Sequence, residues 1–283
     1  MRTMQEFILW SNCTNNCAFC WQQKKKDLTA FLNEKEMLEC ITETSIRLDS
    51  INDGDDVLLV GGEILAPYFS SVNVALENLI DKCIEMLKSD RIRYLYINTN
   101  LIYINRSNLT YLLDMVKGIE DRLKFTTSFD VYGRFETGIE KNIFFDNLAY
   151  IRDNYPEINV VINSIITKQL VASGFDFEKF KDEYKVRYIN FIPYIPVVDD
   201  RCMDVEFKDI VKILVDFERK HKGYIKNYIN DFDLNQNKVL YEYHKDTGYR
   251  ECTSKYASCG HNENFKKVLG DECYICKLKE LFY

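Results

Sequence analysis

Cys13-Thr14-Asn15-Asn16-Cys17-Ala18-Phe19-Cys20 follows closely on the apolar stretch Phe7-Ile8-Leu9-Trp10. The cysteine spacing is C-x3-C-x2-C. Three thiolates on one loop can hold three irons of a 4Fe–4S cluster, because soft sulfur ligands suit such clusters. The fourth iron then takes no ligand from this run and stays open to a small molecule. An open iron beside apolar strands suits chemistry better than electron storage. The competing readings are a zinc loop or three buried thiols. Zinc favours four ligands, often as paired C-x2-C units, and this run supplies no fourth ligand nearby.

Working outward, Asp56-Val57-Leu58-Leu59-Val60 is an acid-capped apolar run that ends in Gly61-Gly62-Glu63. Alone, a Gly-Gly-Glu is an ordinary strand-ending turn, since glycine permits positive φ. Together the two runs resemble the radical S-adenosylmethionine (SAM) superfamily. Its C-x3-C-x-aromatic-C motif follows the first strand of a partial β/α barrel, and its Gly-Gly-Glu ends the second. Phe19 fills the aromatic position, and the sequence between the runs leaves room for one helix. The resemblance covers roughly residues 5 to 200.

The order of elements agrees. Glu6–Trp10 reads as the first strand and Asn33–Ser50 as a helix, with Asn33 as N-cap and Glu36 three residues on. Strands are expected at 56–60, 93–98, 123–129, 158–166 and 186–192. Helices are expected at 72–88, 108–116, 139–154, 177–184 and 205–220, with stops at Pro156 and Pro193. Strands separated by helices indicate parallel pairing with right-handed crossovers. The expected fold is α/β, a partial (β/α)6 barrel over residues 1–221, followed by a small cysteine-rich, metal-stapled extension over 222–283. In parallel barrels the site lies at the C-terminal ends of the strands. The polar clusters Asn98-Thr99-Asn100 and Ser128-Phe129-Asp130 fall there.

The resemblance implies a role for each matching residue. Cys13, Cys17 and Cys20 ligate the 4Fe–4S cluster. Gly61, Gly62 and Glu63 hold the SAM amino group through backbone carbonyls and a carboxylate, since a buried ammonium needs acceptors. Ser128 and Asp130 stand where the family often makes ribose contacts. Arg134 is placed to pair with the SAM carboxylate, Asn98 and Asn100 to reach SAM or substrate, and Ile192 with Pro193 to flank the adenine. For Ser128, Asp130 and Arg134, ordinary loop capping is the competing reading. The implied reaction is reductive cleavage of SAM to methionine and a 5′-deoxyadenosyl radical, which abstracts a hydrogen atom from the substrate. It also implies a one-electron reductant such as flavodoxin or ferredoxin.

Cys252, Cys259, Cys273 and Cys276 crowd the C-terminal stretch with spacing C-x6-C-x13-C-x2-C. So short a region needs a staple. Four thiolates supply one, as a second 4Fe–4S cluster or a structural zinc site. The segment resembles the auxiliary-cluster (twitch or SPASM-like) extensions of some radical SAM enzymes, without the full seven-cysteine pattern. Cys202, past the sixth strand, is either a hydrogen-atom donor or a plain loop thiol. Cys40 and Cys83 fall within helical patterns and read as small core residues.

Composition narrows the function classes. The chain has 283 residues, 46% of them apolar, and a net charge of −7. Nonspecific attraction to nucleic acid or an anionic membrane is disfavoured. Lys24-Lys25-Lys26 reads as a solvated surface run or a phosphate contact. No apolar stretch is long enough to span a membrane and no secretory pattern opens the chain, so the ten cysteines are expected in a reducing cytoplasm. Three histidines argue against a histidine-based metal enzyme. The expected substrate is a peptide, a protein side chain or a small metabolite. The alternatives are a nucleoside or nucleotide, a partner enzyme receiving a glycyl radical, or a binding protein on a barrel that no longer turns over.

Overall fold

The computed structural model describes residues 3–13, 15, 17, 20, 31–104, 106–130, 133–135, 137–193, 212, 215, 219, 238–244 and 248–252. Strands β1 (Met4–Ile8), β2 (Asp55–Val60), β3 (Ile92–Asn98), β4 (Leu123–Ser128), β5 (Asn159–Ile166) and β6 (Tyr188–Pro193) alternate with helices. The helices are α1 (Glu34–Leu48), α2 (Ser70–Lys88), α3 (Arg106–Met115), α4 (Gly138–Asn154), α5 (Lys168–Ser173) and α6 (Phe177–Tyr184). Every adjacent pair from β1 to β6 is parallel. This is the expected alternating α/β architecture. The helix expected over 205–220 lies largely outside the described residues, although Lys212, Val215 and Arg219 are helical.

Local chemistry explains the elements. Asn33 caps α1 through the capping box seen in the sequence: its side chain accepts from the Glu36 N–H, and Glu36 reaches back to the Asn33 N–H. Thr137 and Glu140 repeat the device at α4. α5 has no counterpart in the sequence reading. It is a short helix capped by the Thr167 hydroxyl and ended at Gly174, which sits in the left-handed region at φ 62°. Pro193, expected to stop β6, is instead its last residue, opposite Ile166. β6 lies at the sheet edge, where a residue without an N–H costs no ladder bond.

Two strands lie beyond the expected six. β7 (Lys238–His244) pairs parallel with β1, and β8 (Gly248–Cys252) returns antiparallel, giving the order β6-β5-β4-β3-β2-β1-β7-β8. The strand carrying the cysteine loop is therefore flanked on both sides. β7 and β8 fall within the stretch read as a cysteine-rich extension. Val239, Tyr241 and Tyr243 alternate ahead of the turn-forming Asp246-Thr247-Gly248, a hairpin signal that could have found them.

One core runs between the sheet and its helices. Phe7, Val57, Leu59, Leu95, Ile97, Phe125 and Ile162 are buried on alternate strand positions, and Leu9 is buried just past β1. They meet Met37, Cys40, Leu76, Cys83, Leu113 and Leu148 from the helices. Cys40 and Cys83 are both 0% exposed, as expected of core thiols, and the Cys40 thiol donates to the Leu9 carbonyl. Phe129, just past β4, stacks between Phe144 of α4 and Phe180 of α6, with ring centroids 5.7 and 4.8 Å away. That anchor fixes the loop that follows β4.

At the N-terminal ends of the strands the polar contacts are structural. Asp55 accepts from Thr3 and Gln5, and Asp56 takes a bidentate pair from Arg93. The chemistry-bearing side chains gather at the opposite ends.

Candidate active site

The end of β1 and the end of β2 are laced together. The Gly62 N–H donates to the Trp10 carbonyl at 2.7 Å and the Glu63 N–H to the Asn12 carbonyl at 2.9 Å. Such an approach leaves no room for side chains. A Cβ on Gly62 would lie 2.0 Å from the Asn12 carbonyl oxygen, and one on Gly61 would lie 2.7 Å from that of Trp10. Two glycines are needed because two backbones touch there. The Tyr68 hydroxyl lies 2.7 Å from both the Asn12 and Glu63 carbonyls, bridging the two strand ends again. Its ring meets Trp10 edge-on at 5.9 Å.

Asn12 also closes the neck of the cysteine loop. Its side chain accepts from the Leu32 N–H at 2.8 Å and donates to the Leu32 carbonyl at 3.0 Å. Inside the loop, the Asn15 N–H donates to Cys13 Sγ and the Cys20 N–H to the Cys17 carbonyl. The three cysteines are partly buried and carry no disulfide. Phe19 lies outside the described residues.

Glu63 is fully buried. Its Oε1 accepts from the Leu65 N–H and the Thr99 hydroxyl, both at 2.9 Å, and its Oε2 from the Asn100 N–H. Burial pushes its carboxyl above the ordinary range, opposed by those bonds and by the positive charge of Arg134. β3 thus presents Thr99 and Asn100 to the residue that ends β2. Asn98 ends β3 opposite Thr126, and the Asn100 side chain accepts from the Ile102 N–H while its Nδ2 finds no partner.

β4 supplies the next wall. Ser128 ends it opposite Asn163. Asp130 is 0% exposed and accepts from the Gly133 N–H. Arg134 is 3% exposed and donates through Nη2 to the Asn100 carbonyl at 2.8 Å and the Thr127 hydroxyl at 3.2 Å. Its own carbonyl faces Cys17 Sγ. Residues from the cysteine loop and from the ends of β2, β3 and β4 therefore form one buried polar cluster. Ile192 lies on β6 opposite Ile165. Cys252 ends β8 opposite Leu240. Cys202, Cys259, Cys273 and Cys276 lie outside the described residues.

The donor set fits an iron–sulfur cluster. Three soft sulfurs share one loop, and the buried polar cluster beside them leaves Arg134 Nε and Asn100 Nδ2 without hydrogen-bond partners. Among the described residues no three His, Cys, Asp or Glu side chains converge on one ion position. Thiolates that each take a different iron need not converge.

Burial pushes the Cys13 thiol up to about 12 and the Cys17 thiol up to about 11; the Asn15 N–H and the Arg134 charge, respectively, pull them back. Metal loading must therefore expel protons from these thiols. The cluster-free fold favours the neutral thiols, whereas the unfolded chain ionises them near 9.0, the ordinary value. Their contribution to stability is whole below about pH 9 and is lost as pH rises toward 11–12. Cluster-free protein is expected to lose on the order of 1 kcal/mol per buried thiol per pH unit in that window. Urea midpoints at about pH 8 and about pH 10 check this, and equal midpoints would show that the thiols are not held neutral.

Sequence reasoning missed Tyr68, Thr99, Thr127 and Asn12. A tyrosine five residues past Gly-Gly-Glu carries no local signal. Thr99 lay inside the polar cluster at the end of β3 and could have been named with its neighbours.

No protein-family model matches the chain, and no curated protein matches it in sequence. Solved structures do. SuiB of Streptococcus suis bound to S-adenosylmethionine aligns over 85% of this chain and 50% of its own, at 16% identity and a TM-score of 0.54. The structure of anSMEcpe with bound AdoMet aligns over 86% and 62%, at 16% identity and a TM-score of 0.53. The same protein with AdoMet and the Cp18Cys peptide gives 85%, 63%, 16% and 0.51. The chain thus spans between half and two thirds of the length of these proteins. The fold is that of the radical SAM enzymes. All three of these similar structures contain bound AdoMet, and one also holds a peptide.

Proposed function

We propose that this protein is a radical SAM enzyme acting on a peptide or protein side chain. The observation that carries this reading is the lacing of Trp10 and Asn12, which lead directly into the Cys13–Cys20 loop, to Gly61-Gly62-Glu63 through Gly62, Glu63 and Tyr68. It sets three thiols and a buried carboxylate together at the strand ends. Cys13, Cys17 and Cys20 would hold the cluster, and Glu63 with the Gly61 and Gly62 carbonyls would receive the SAM amino group. When bound, the cluster supplies the electron that cleaves SAM to methionine and a 5′-deoxyadenosyl radical.

The chain's own part is positioning and exclusion. Glu63 is held by three donors, so its carboxylate needs no reorganisation when an ammonium arrives. Arg134, Asp130 and Asn100 supply further charge and hydrogen-bonding groups for SAM's carboxylate and ribose. The partly exposed Asn98 and Ser128 at the strand ends, with Asn163 of β5 opposite Ser128, would face the substrate. Trp10 and the Phe129 cluster shield the site from water, which would otherwise compete with the target C–H. The peptide reading is supported by the Cp18Cys peptide held by the similar anSMEcpe structure. A flavodoxin or ferredoxin would deliver the electron, and Cys252, Cys259, Cys273 and Cys276 would carry a second cluster or zinc.

Anaerobic reconstitution followed by reduction with SAM tests the reading. The expected result is about eight irons, about four per cluster, with release of 5′-deoxyadenosine. About four irons with the same product would assign the C-terminal cysteines to zinc. A loaded cluster that never cleaves SAM, with peptide present, would sink the enzyme reading.

A further inference from the structure

Among the residues whose side chains are described, Arg134 is the one buried lysine or arginine. Its two hydrogen bonds go to uncharged acceptors, the Asn100 carbonyl and the Thr127 hydroxyl, and its Nε has no partner. A buried guanidinium usually spends its charge on a carboxylate fork. This one's charge is instead opposed by burial and supported by the field of Cys17, Glu63, Cys13 and Asp130 in their ionised forms. Its backbone faces the cysteine loop as well, with the Arg134 carbonyl 4.0 Å from Cys17 Sγ. The residue therefore meets the loop in two separable ways, through a main-chain contact and through a side-chain charge.

Resting on the radical SAM reading, we propose that Arg134 is the resident counter-charge of the cluster, a positioning residue that makes the cluster easier to reduce. This role is distinct from a grip on the SAM carboxylate. Reduction adds one electron from the reductant, with no bond made or broken and no proton required. The thiolate-ligated cluster becomes one charge more negative. A fixed cation in a poorly solvated site favours that state, and net charge nearby is among the determinants of cluster potential. Arginine suits the task because it stays protonated even when buried. Asp130, fully buried in the same field, opposes it.

The test is a redox titration of the reconstituted full chain without SAM, using dithionite and following the electron paramagnetic resonance of the reduced cluster. R134Q is expected to leave the cluster about tenfold harder to reduce, a potential about 59 mV lower for a one-electron couple. R134K should restore most of the loss, and D130N should shift the potential upward. All three should keep their iron, because the contact to Cys17 is main-chain. A wild-type potential in R134Q, or a downward shift in D130N, would overturn the proposal while leaving the radical SAM reading intact. If R134Q holds no cluster, D130N decides alone, and an unshifted potential there overturns the proposal. A wild-type chain that binds no 4Fe–4S cluster overturns both.

Discussion

Gly62→Ala is expected to cost the protein its cluster and its SAM cleavage together. The added Cβ would lie 2.0 Å from the Asn12 carbonyl oxygen, 2.5 Å from the Asn12 carbonyl carbon and 2.7 Å from the Ser11 carbonyl oxygen. All three are main-chain atoms, so no side chain can swing aside. The segments must part, breaking the bonds from Gly62 to Trp10 and from Glu63 to Asn12. Asn12 precedes Cys13 and closes the loop neck through Leu32, so the displacement passes directly to the ligands. Overpacking of this kind costs about 1–3 kcal/mol. Gly138 is the matched control, since its Cβ would meet nothing within 4 Å. Iron content and 5′-deoxyadenosine release should collapse in G62A and stay at the parent level in G138A. A G62A protein that loads iron as well as G138A would refute the backbone-contact argument.

Glu63→Gln is expected to abolish detectable SAM binding with less damage to the fold. The carboxylate accepts on both oxygens, from Leu65 and Thr99 on one and from Asn100 on the other. A glutamine must turn its NH2 toward one side. Facing Asn100 it sets donor against backbone donor; facing Leu65 it does the same, although Thr99 can reverse its hydroxyl. Either way a buried N–H is orphaned, at about 1–3 kcal/mol. The charge that would meet the SAM ammonium is also gone, while all three thiols remain. Calorimetric titration of the reconstituted variant with SAM should show no binding, with near-parent iron content. SAM affinity within a few-fold of the parent would remove Glu63 from the site.

What the sequence could disclose differed from residue to residue. Asn33 and Glu36 are close in the chain and their bond is local, so the start of α1 could be placed before any fold was known. The six parallel strands were legible because apolar runs alternated with amphipathic ones. The two glycines were legible as a motif, but their reason, the contacts with Trp10, Ser11 and Asn12, belongs to the meeting of two distant strands. Arg134 stood out only through resemblance. Its burial and its field beside Cys17 depend on how the loop after β4 is pinned by Phe129, Phe144 and Phe180, which no spacing encodes. β7 escaped notice because the cysteines around it dominate the reading, and because a parallel partner for β1 leaves no mark at β1.

The pairing of Met4–Ile8 with Lys238–Glu242 has a consequence for biosynthesis. β1 leaves the ribosome long before β7, and until then its second edge is uncovered. Contacts so far apart in sequence form slowly, and nascent chains expose unpaired edges meanwhile. The three cysteines next to that strand should stay accessible until β7 has been made. Iron delivery should then be a post-translational event, and a truncated chain released before residue 238 should capture cluster poorly however complete its cysteine motif.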